Sequence, residues 1–166
     1  HYRMFPYGRL REPMWSVGRT DMIILTKVDH QVAVPSVHRK ISPQAKIILK
    51  STLRPRETDR LKGLKVVAFC GIGDPDSFAS TLIQIGADIV EFQKFRDHYV
   101  YNERDMSRLR KLLRKEKADA LVTTEKDWVK LPASEKERGF IVPIPVDVKW
   151  LNEGEARLKE ALQRLF

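Results

Sequence analysis

Apolar and polar positions along the chain follow two alternating patterns. Six runs rich in aliphatic and β-branched residues have the length of strands, and they lie at residues 22–26, 45–53, 65–70, 87–95, 119–124 and 140–146. Because proline cannot donate a hydrogen bond to a neighbouring strand, Pro143 and Pro145 favour a sheet edge for the last run. The first run, at 22–26, is apolar throughout, as expected of a strand covered on both faces.

Between and after these runs, apolar residues recur at helical spacing. One predicted helix stops at Gly86, a second begins after Asn102 as its N-cap, and a third closes the chain. Shorter helices are expected at 35–41 and near Trp128. The apolar faces of the three longer helices comprise Phe78, Leu82 and Ile85; Met106, Leu109, Leu112 and Leu113; and Leu158, Ala161, Leu162 and Leu165.

Strands that alternate with helices predict an α/β fold of Rossmann-like βαβ units, with a mostly parallel sheet and flanking helices. The polar stretch at 54–64 is interpreted as a linker between residues 1–53 and a βαβ subdomain at 65–166. Functional groups in such sheets gather in loops at the carboxyl ends of the strands. The loops at 71–75, 95–101 and 123–130 occupy such positions.

Composition adds a charge bias to this picture. The 166 residues contain 31 Lys and Arg against 22 Asp and Glu, a formal net charge of +9 that favours anionic partners. The single cysteine, Cys70, excludes an internal disulfide and is expected to be a small buried residue. The apolar runs are too short to span a bilayer. The chain opens at His1 without an initiator Met, so we expect it to continue upstream.

Gly71-Ile72-Gly73 lies between a predicted strand and a predicted helix. Glycines in this position let the backbone approach an anion at a helix amino end, so Gly71 and Gly73 are phosphate-binding candidates. The third glycine of a dinucleotide fingerprint is missing, and a tight turn with a helix cap explains the segment equally well. A Gly-x4-Gly-Lys-Ser/Thr loop occurs nowhere in the chain, so another segment must complete any phosphate chemistry.

The loop at 95–101 combines Asp97 and His98 with two tyrosines. Histidine can relay a proton near neutral pH, and its position after a strand suits a catalytic group. Adjacent residues on an extended loop point apart, so Asp97 need not orient His98. A surface histidine without function is the alternative.

Two further groups of basic residues are candidates for contacts with phosphate. Lys126 follows a strand and could meet a phosphate, although Glu125 and Asp127 could instead neutralise it in a surface ion pair. Arg9 and Arg11 lie in a loop, where guanidinium groups could bind phosphate oxygens bidentately or remain solvated. No set of side chains predicts a metal site.

Four segments form an ordered set of motifs: Phe5-Pro6-Tyr7-Gly8-Arg9-Leu10-Arg11-Glu12-Pro13, Ala68-Phe69-Cys70-Gly71-Ile72-Gly73-Asp74-Pro75, Phe95-Arg96-Asp97-His98, and the segment from Thr123 to Leu131. In this order they resemble the carboxy-terminal part of the tetraacyldisaccharide 4'-kinase family, the lipid A kinases of Gram-negative bacteria. The sequence departs from the family pattern at Tyr7, Arg9, Arg96 and Tyr99.

The resemblance implies one lobe of a two-lobed P-loop kinase, which transfers the γ-phosphate of ATP to the 4'-hydroxyl of tetraacyldisaccharide 1-phosphate with Mg²⁺. The P-loop and most ligands of ATP and Mg²⁺ would lie in an amino-terminal half, from which residues 1–53 continue. His98 would form a dyad with an aspartate of that half, and Arg11 would lie near the phosphosugar. This lobe alone would be inactive.

The resemblance also implies a peripheral location at the cytoplasmic face of the inner membrane, which the positive charge suits. Motifs that combine aromatic and basic residues for RNA binding are not visible, so nucleic acid is not an expected partner. Two alternatives stay open from the residues alone: a non-catalytic basic module that binds anionic lipid or nucleotide, and an independent enzyme that binds a dinucleotide at the Gly71 turn.

Overall fold

The structure is a computed structural model that describes residues 3–8, 10–28, 41, 47–56 and 58–164. The chain divides into two compact units: the first comprises His1–Leu53 and Val148–Phe166, and the second comprises Arg54–Asp147. The predicted helix at 35–41 lies outside the described residues, apart from Ile41.

The strands are β1 Met22–Leu25, β2 Ile47–Pro55, β3 Lys65–Cys70, β4 Asp88–Lys94, β5 Ala120–Thr124, β6 Ile141–Ile144 and β7 Val146–Leu151. The α-helices are α1 Pro75–Ile85, α2 Glu103–Lys115, α3 Glu125–Trp128, α4 Ala133–Glu137 and α5 Gly154–Gln163, and 3-10 helices span Met14–Arg19 and Thr58–Leu61. The six strands that the sequence predicts are present, and β7 was not predicted, because the hydrophobic pattern continues from β6 without a clear break.

The second unit is built on a four-stranded sheet with the order β4-β3-β5-β6. Each neighbouring pair is parallel, and β6 forms an edge, as its prolines predict. Successive residues of β3 point to opposite faces of the sheet. Val66, Ala68 and Cys70 therefore pack in one core cluster, while Val67 and Phe69 pack in the other.

Helices cover both faces of this sheet. Phe78, Leu82 and Ile85 of α1 complete the first core cluster, and Met106 and Leu109 of α2 complete the second. A sheet that is covered on both faces is typical of parallel α/β folds. The predicted α/β class and the parallel sheet are confirmed.

The ends of α1 and α2 follow their sequence signals. The Asp74 side chain accepts a hydrogen bond from the Ser77 N–H at the start of α1, and Gly86 ends the helix with φ 85°. The Asn102 side chain caps α2, and the Asp105 side chain accepts a hydrogen bond from the Asn102 N–H to complete a capping box. These caps fix the points at which the chain leaves the carboxyl ends of β3 and β4.

The first unit contains a three-stranded sheet with the order β1-β2-β7, in which β1 and β2 are parallel. The sequence predicted that β1 is covered on both faces. This prediction is wrong, because Ile24 on β1 is 43% exposed. In α5, Ala161 is buried but Leu162 is 44% exposed. None of the helices in the described part of the chain is long and apolar enough to cross a membrane.

The unit boundaries differ from the predicted division of the chain. Residues 148–166 cluster with residues 1–53, whereas the sequence grouped them with residues 65–147. The predicted linker at 54–64 contains the 3-10 helix Thr58–Leu61, and Leu61 is buried in the core of the second unit. The pattern of apolar residues predicts where helices and strands lie, but it does not predict which of them are in contact when they are distant in sequence.

Candidate functional site

Three loops of the second unit meet at one edge of its sheet. They follow β3, β4 and β5, which are neighbours and parallel, so their carboxyl ends lie side by side. This is the edge where α/β proteins bind their ligands. The segments after β3 and β4 contain the predicted site residues Gly71, Gly73, Asp97 and His98, and Lys126 lies in α3, which directly follows β5.

Gly71 lies where the three loops touch. A Cβ atom at this position would lie 2.9 Å from the Arg96 carbonyl oxygen, 3.1 Å from Tyr99 Cβ and 3.3 Å from an Asp127 carboxylate oxygen. Its N–H donates a hydrogen bond to Asp127 Oδ2 at 3.0 Å, and its carbonyl accepts one from the His98 N–H at 3.2 Å. Gly71 thus allows a close approach of protein segments, and its N–H is already engaged.

Asp127 is a fully buried carboxylate at the start of α3, with 0% exposure. Besides the Gly71 N–H, its oxygens accept a hydrogen bond from Thr124 Oγ1 at 2.7 Å and one from Lys130 Nζ at 3.3 Å. Three donors compensate the loss of hydration that burial of a carboxylate costs. The sequence interpretation of Asp127 as part of a surface ion pair is therefore wrong, since Lys130, not Lys126, is its cationic partner.

His98 and Asp97 are the exposed part of this edge. Their side chains are 77% and 48% exposed, and 3.9 Å separates His98 Nε2 from Asp97 Oδ2, which is too long for a hydrogen bond. Asp97 Oδ1 instead accepts a hydrogen bond from the His98 backbone N–H at 3.0 Å. The imidazole is therefore free to meet another group.

The backbone of His98 adopts φ 59°. Residues other than glycine rarely occupy this left-handed region, and such positions persist where the surroundings hold them. Two acceptors hold the His98 N–H, namely the Gly71 carbonyl and the Asp97 carboxylate. These two hydrogen bonds fix the backbone at His98 and therefore the position from which its side chain extends.

An aromatic cluster fixes both ends of the His98 loop. Tyr99 lies 4.7 Å from Phe95 and 5.3 Å from Tyr101 between ring centroids, and Phe69 of β3 contacts Tyr101 edge to face at 5.5 Å. The Tyr99 hydroxyl donates a hydrogen bond to Asp105 Oδ2 at 3.1 Å. The loop is therefore anchored to both β3 and the start of α2.

The groups beneath the loop are held in their neutral forms. Burial, followed by the negative charge of Asp127, raises the pKa of the Cys70 thiol to about 12. The same two causes raise the pKa of Tyr101, whose buried hydroxyl lies near the Asp127 charge without reaching hydrogen-bond geometry. Cys70 is buried as predicted, and a thiol with this pKa is not a nucleophile at neutral pH.

Gly73 and Lys126 are placed differently from Gly71. A Cβ at Gly73 would lie 3.2 Å from Asp97 Oδ2, so this glycine leaves room for the Asp97 side chain. Lys126 is exposed on α3. The roles of both residues in phosphate binding stay predictions.

The two predicted substrate arginines belong to the first unit. Arg11 is exposed and follows a tight loop in which the Leu10 N–H donates a hydrogen bond to the Arg3 carbonyl at 3.1 Å. Gly8 is required there, since a Cβ would lie 2.2 Å from the same carbonyl oxygen. Arg9 lies outside the described residues. The substrate contacts of both arginines stay predictions.

Sequence reasoning missed the central position of Asp127 and the contribution of Thr124 and Lys130. A partial signal was present, because Thr124 at the end of a strand followed by Asp127 fits a helix start, and the Thr124 side chain does cap α3. In the described ranges, no group of three or more His, Cys, Asp or Glu residues could hold a metal ion.

Comparison with known proteins identifies the family. The sequence model described as Tetraacyldisaccharide-1-P 4'-kinase matches residues 1–166. The chain belongs to this family. The family resemblance of the four sequence segments is thereby confirmed.

Kinases of this family from several bacteria resemble the chain. Those named tetraacyldisaccharide 4'-kinase include a protein of Chelativorans sp., 39% identical over 131 residues that cover 79% of this chain and 38% of the relative. One from Rhodopseudomonas palustris is 35% identical, covering 93% and 46%, and one from Halothermothrix orenii is 32% identical, covering 77% and 40%. The chain spans less than half the length of these relatives and matches their carboxy-terminal part.

A solved structure supports the same assignment. The crystal structure of apo-form LpxK from Aquifex aeolicus in complex with ATP superposes with a TM-score of 0.61 at 26% sequence identity. The match covers 99% of this chain and 48% of that protein. The fold of the tetraacyldisaccharide 4'-kinase family therefore extends over nearly the whole chain.

Proposed function

We propose that this chain is the carboxy-terminal part of a kinase that transfers the γ-phosphate of ATP to the 4'-hydroxyl of tetraacyldisaccharide 1-phosphate. The observation that carries the proposal is the family match over all 166 residues. It is supported by the exposed His98 side chain at the carboxyl edge of the parallel sheet.

His98 is proposed to assist transfer of the proton from the acceptor hydroxyl. Phosphoryl transfer depends mainly on positioning and charge neutralisation, and a suitably placed residue orients the nucleophile. The imidazole has no hydrogen-bond partner on Asp97, so an aspartate from the preceding half can pair with it. Asp97 would contribute by holding the His98 backbone, through the contact at 3.0 Å.

ATP and Mg²⁺ are proposed to bind mainly to the half that precedes this chain. Mg²⁺ supplies neutralisation of phosphate charge when bound, but the described residues offer no cluster of acidic ligands for it. The relative from Aquifex aeolicus was crystallised in complex with ATP, which supports nucleotide use. The present chain would supply the acceptor side, with Arg11 and the neighbouring Arg9 near the phosphosugar.

The proposed acceptor is a lipid, so we also propose that the kinase works at the cytoplasmic face of the inner membrane. The net charge of +9 supports this proposal. So do Arg104, Arg108, Lys111 and Lys115, which form a row on the exposed side of α2. Their spacing of four, three and four residues places them on one helix face.

Substitution of His98 tests the catalytic proposal. In the complete kinase, His98→Ala is expected to lower kcat by about 10²- to 10⁴-fold, the usual contribution of a positioned proton-transfer group. Steady-state kinetics with ATP and the lipid disaccharide would measure the effect. Glu137→Ala, at an exposed position on α4, is the control and should leave kcat unchanged.

Two results would contradict this proposal. Unchanged turnover of the His98→Ala variant would remove His98 from the mechanism. A stop codon upstream of His1, in place of a sequence with a Gly-rich Lys-Ser/Thr loop, would favour the non-catalytic module that binds anionic lipid or nucleotide.

A further inference from the structure

Asp127 is a buried carboxylate for which the transfer reaction described above has no use. It lies at the amino end of α3, directly beneath Gly71, and none of its surface is exposed. It cannot contact a substrate from this position. We propose that Asp127 is a positioning residue, which holds the His98 loop in its working conformation through the backbone of Gly71.

The first step in this argument is the link between Asp127 and Gly71. Asp127 Oδ2 accepts the Gly71 N–H at 3.0 Å, across 56 residues of sequence. Asp127 Oδ1 lies 3.3 Å from the ideal Cβ position of Gly71, so it borders the space that a side chain at this position would occupy. The carboxylate therefore fixes both the direction of the Gly71 N–H and the space beside its Cα.

The second step is the link between Gly71 and His98. The Gly71 carbonyl accepts the His98 N–H at 3.2 Å, and the Arg96 carbonyl oxygen lies 2.9 Å from the ideal Gly71 Cβ position. Gly71 is thus held by Asp127 and in turn holds the loop that contains His98. The unusual φ of 59° at His98 needs such a support.

The third step separates this role from ordinary helix capping. The Thr124 side chain caps α3 by accepting the Asp127 N–H at 3.1 Å, so the helix start does not need the Asp127 carboxylate. The carboxylate also accepts the Gly71 N–H of the loop after β3. Thr124 Oγ1 and Lys130 Nζ donate hydrogen bonds to the carboxylate at 2.7 and 3.3 Å, which fix its position in the buried site.

Asp119 provides a matched control within the same pair of strands. Its side chain, at the amino end of β5, accepts the Lys65 N–H at 2.8 Å. Asp119 therefore accepts a backbone N–H at the amino end of β3, and Asp127 accepts one just beyond its carboxyl end. If a loss of kcat reflects only weaker packing of β3 against β5, it should appear in variants of both Asp119 and Asp127.

The proposal rests on the proposed kinase function, in that it gives His98 a catalytic role. In the complete kinase, Asp127→Ala is expected to lower kcat by about 10- to 100-fold, the scale of a displaced catalytic group, with little change in the KM for ATP. Asp127→Asn retains an oxygen acceptor and should recover part of the loss. Asp119→Ala should leave kcat near the wild-type value.

A double-mutant cycle shows whether Asp127 acts through His98. If it does, Asp127→Ala should cause no further loss of kcat in the His98→Ala background. Full additivity of the two losses would overturn the proposal. If Asp127→Ala does not fold, as judged by circular dichroism, the cycle is run with Asp127→Asn and the same criterion applies.

Amide hydrogen exchange at His98, followed by NMR of ¹⁵N-histidine-labelled kinase, provides a readout without turnover. Asp127→Ala should increase exchange at the His98 N–H, whereas Asp119→Ala should not. Unchanged exchange with unchanged kcat would overturn the positioning role and leave the proposed function intact. Increased exchange, combined with normal turnover in both Asp127→Ala and His98→Ala, would support the positioning of the loop but contradict the catalytic use of His98.

Discussion

At the scale of single residues, the candidate site depends on close contacts around one glycine. Gly71 contacts the Asp127 carboxylate, the His98 N–H and the Arg96 carbonyl without space for a side chain. The sequence offered a phosphate-binding loop or a tight turn as explanations for this glycine. The structure shows its close contacts within the protein, and a role in phosphate binding stays a prediction.

Replacement of Gly71 tests this interpretation. Gly71→Ala is expected to lower the free energy of unfolding by about 1–3 kcal/mol, because the new methyl group overpacks the contact with the backbone of the His98 loop. Chemical denaturation would measure the change. Gly18→Ala is the matched control, since a Cβ at Gly18 meets no atom within 4 Å, and an equal loss in both variants would contradict the explanation.

At the scale of secondary-structure elements, α2 has a buried apolar face and an opposite exposed face that is rich in cations. Met106 and Leu109 are each 1% exposed and pack on the sheet. On the opposite face, the side chains of Arg104, Arg108 and Lys111 have no ion-pair partner among the described residues. An exposed row of cations of this kind fits an anionic surface better than a protein core.

The proposed contact of α2 with the membrane can be tested with vesicles. Combined Arg104→Gln, Arg108→Gln and Lys111→Gln substitutions are expected to weaken binding to phosphatidylglycerol vesicles about 100-fold, since each cation contributes about 1 kcal/mol. Flotation assays would measure binding, with phosphatidylcholine vesicles as the uncharged reference.

The control for the α2 variant removes the same charge outside α2, at the exposed positions Lys62, Lys149 and Arg157. It should retain most of the binding to anionic vesicles. Equal losses in the two triple variants would show that only the total charge matters. Steeply salt-dependent binding to duplex DNA without vesicle binding would indicate a nucleic-acid partner instead.

At the scale of the whole molecule, the chain is one part of a larger family architecture. It covers 48% of the length of the related crystal structure and contains no P-loop sequence. Positioning of ATP and acceptor together is the main source of catalysis in phosphoryl transfer. If the chain supplies only the acceptor side, as proposed, it should not catalyse the transfer by itself.

Assay of residues 1–166 alone tests this expectation. The isolated chain should show no transfer of radiolabelled phosphate from ATP to the lipid disaccharide, and isothermal titration calorimetry should detect no ATP or dinucleotide binding. The complete kinase, assayed in parallel, should be active. Tight nucleotide binding by the isolated chain would instead support the independent enzyme with a nucleotide site at the Gly71 turn.

Much of the fold was predictable because its signals are local. Apolar runs predicted six strands, Pro143 and Pro145 indicated the edge position of β6, and Asn102 and Gly86 marked helix ends that the structure confirms. The order of the four matching segments was sufficient to identify the family, because sequence similarity does not require knowledge of contacts.

The sequence by itself therefore determined most of the elements, their class and their family, whereas tertiary structure decided the contacts between them. Asp127 looked like a surface carboxylate because its partners are distant in sequence: Gly71 is 56 residues away. Residues 148–166 cluster with residues 1–53, and the sequence did not predict this grouping because the two segments are also distant along the chain. Such contacts form only when strand order and loop closure bring the segments together, and no local pattern of residues encodes that step.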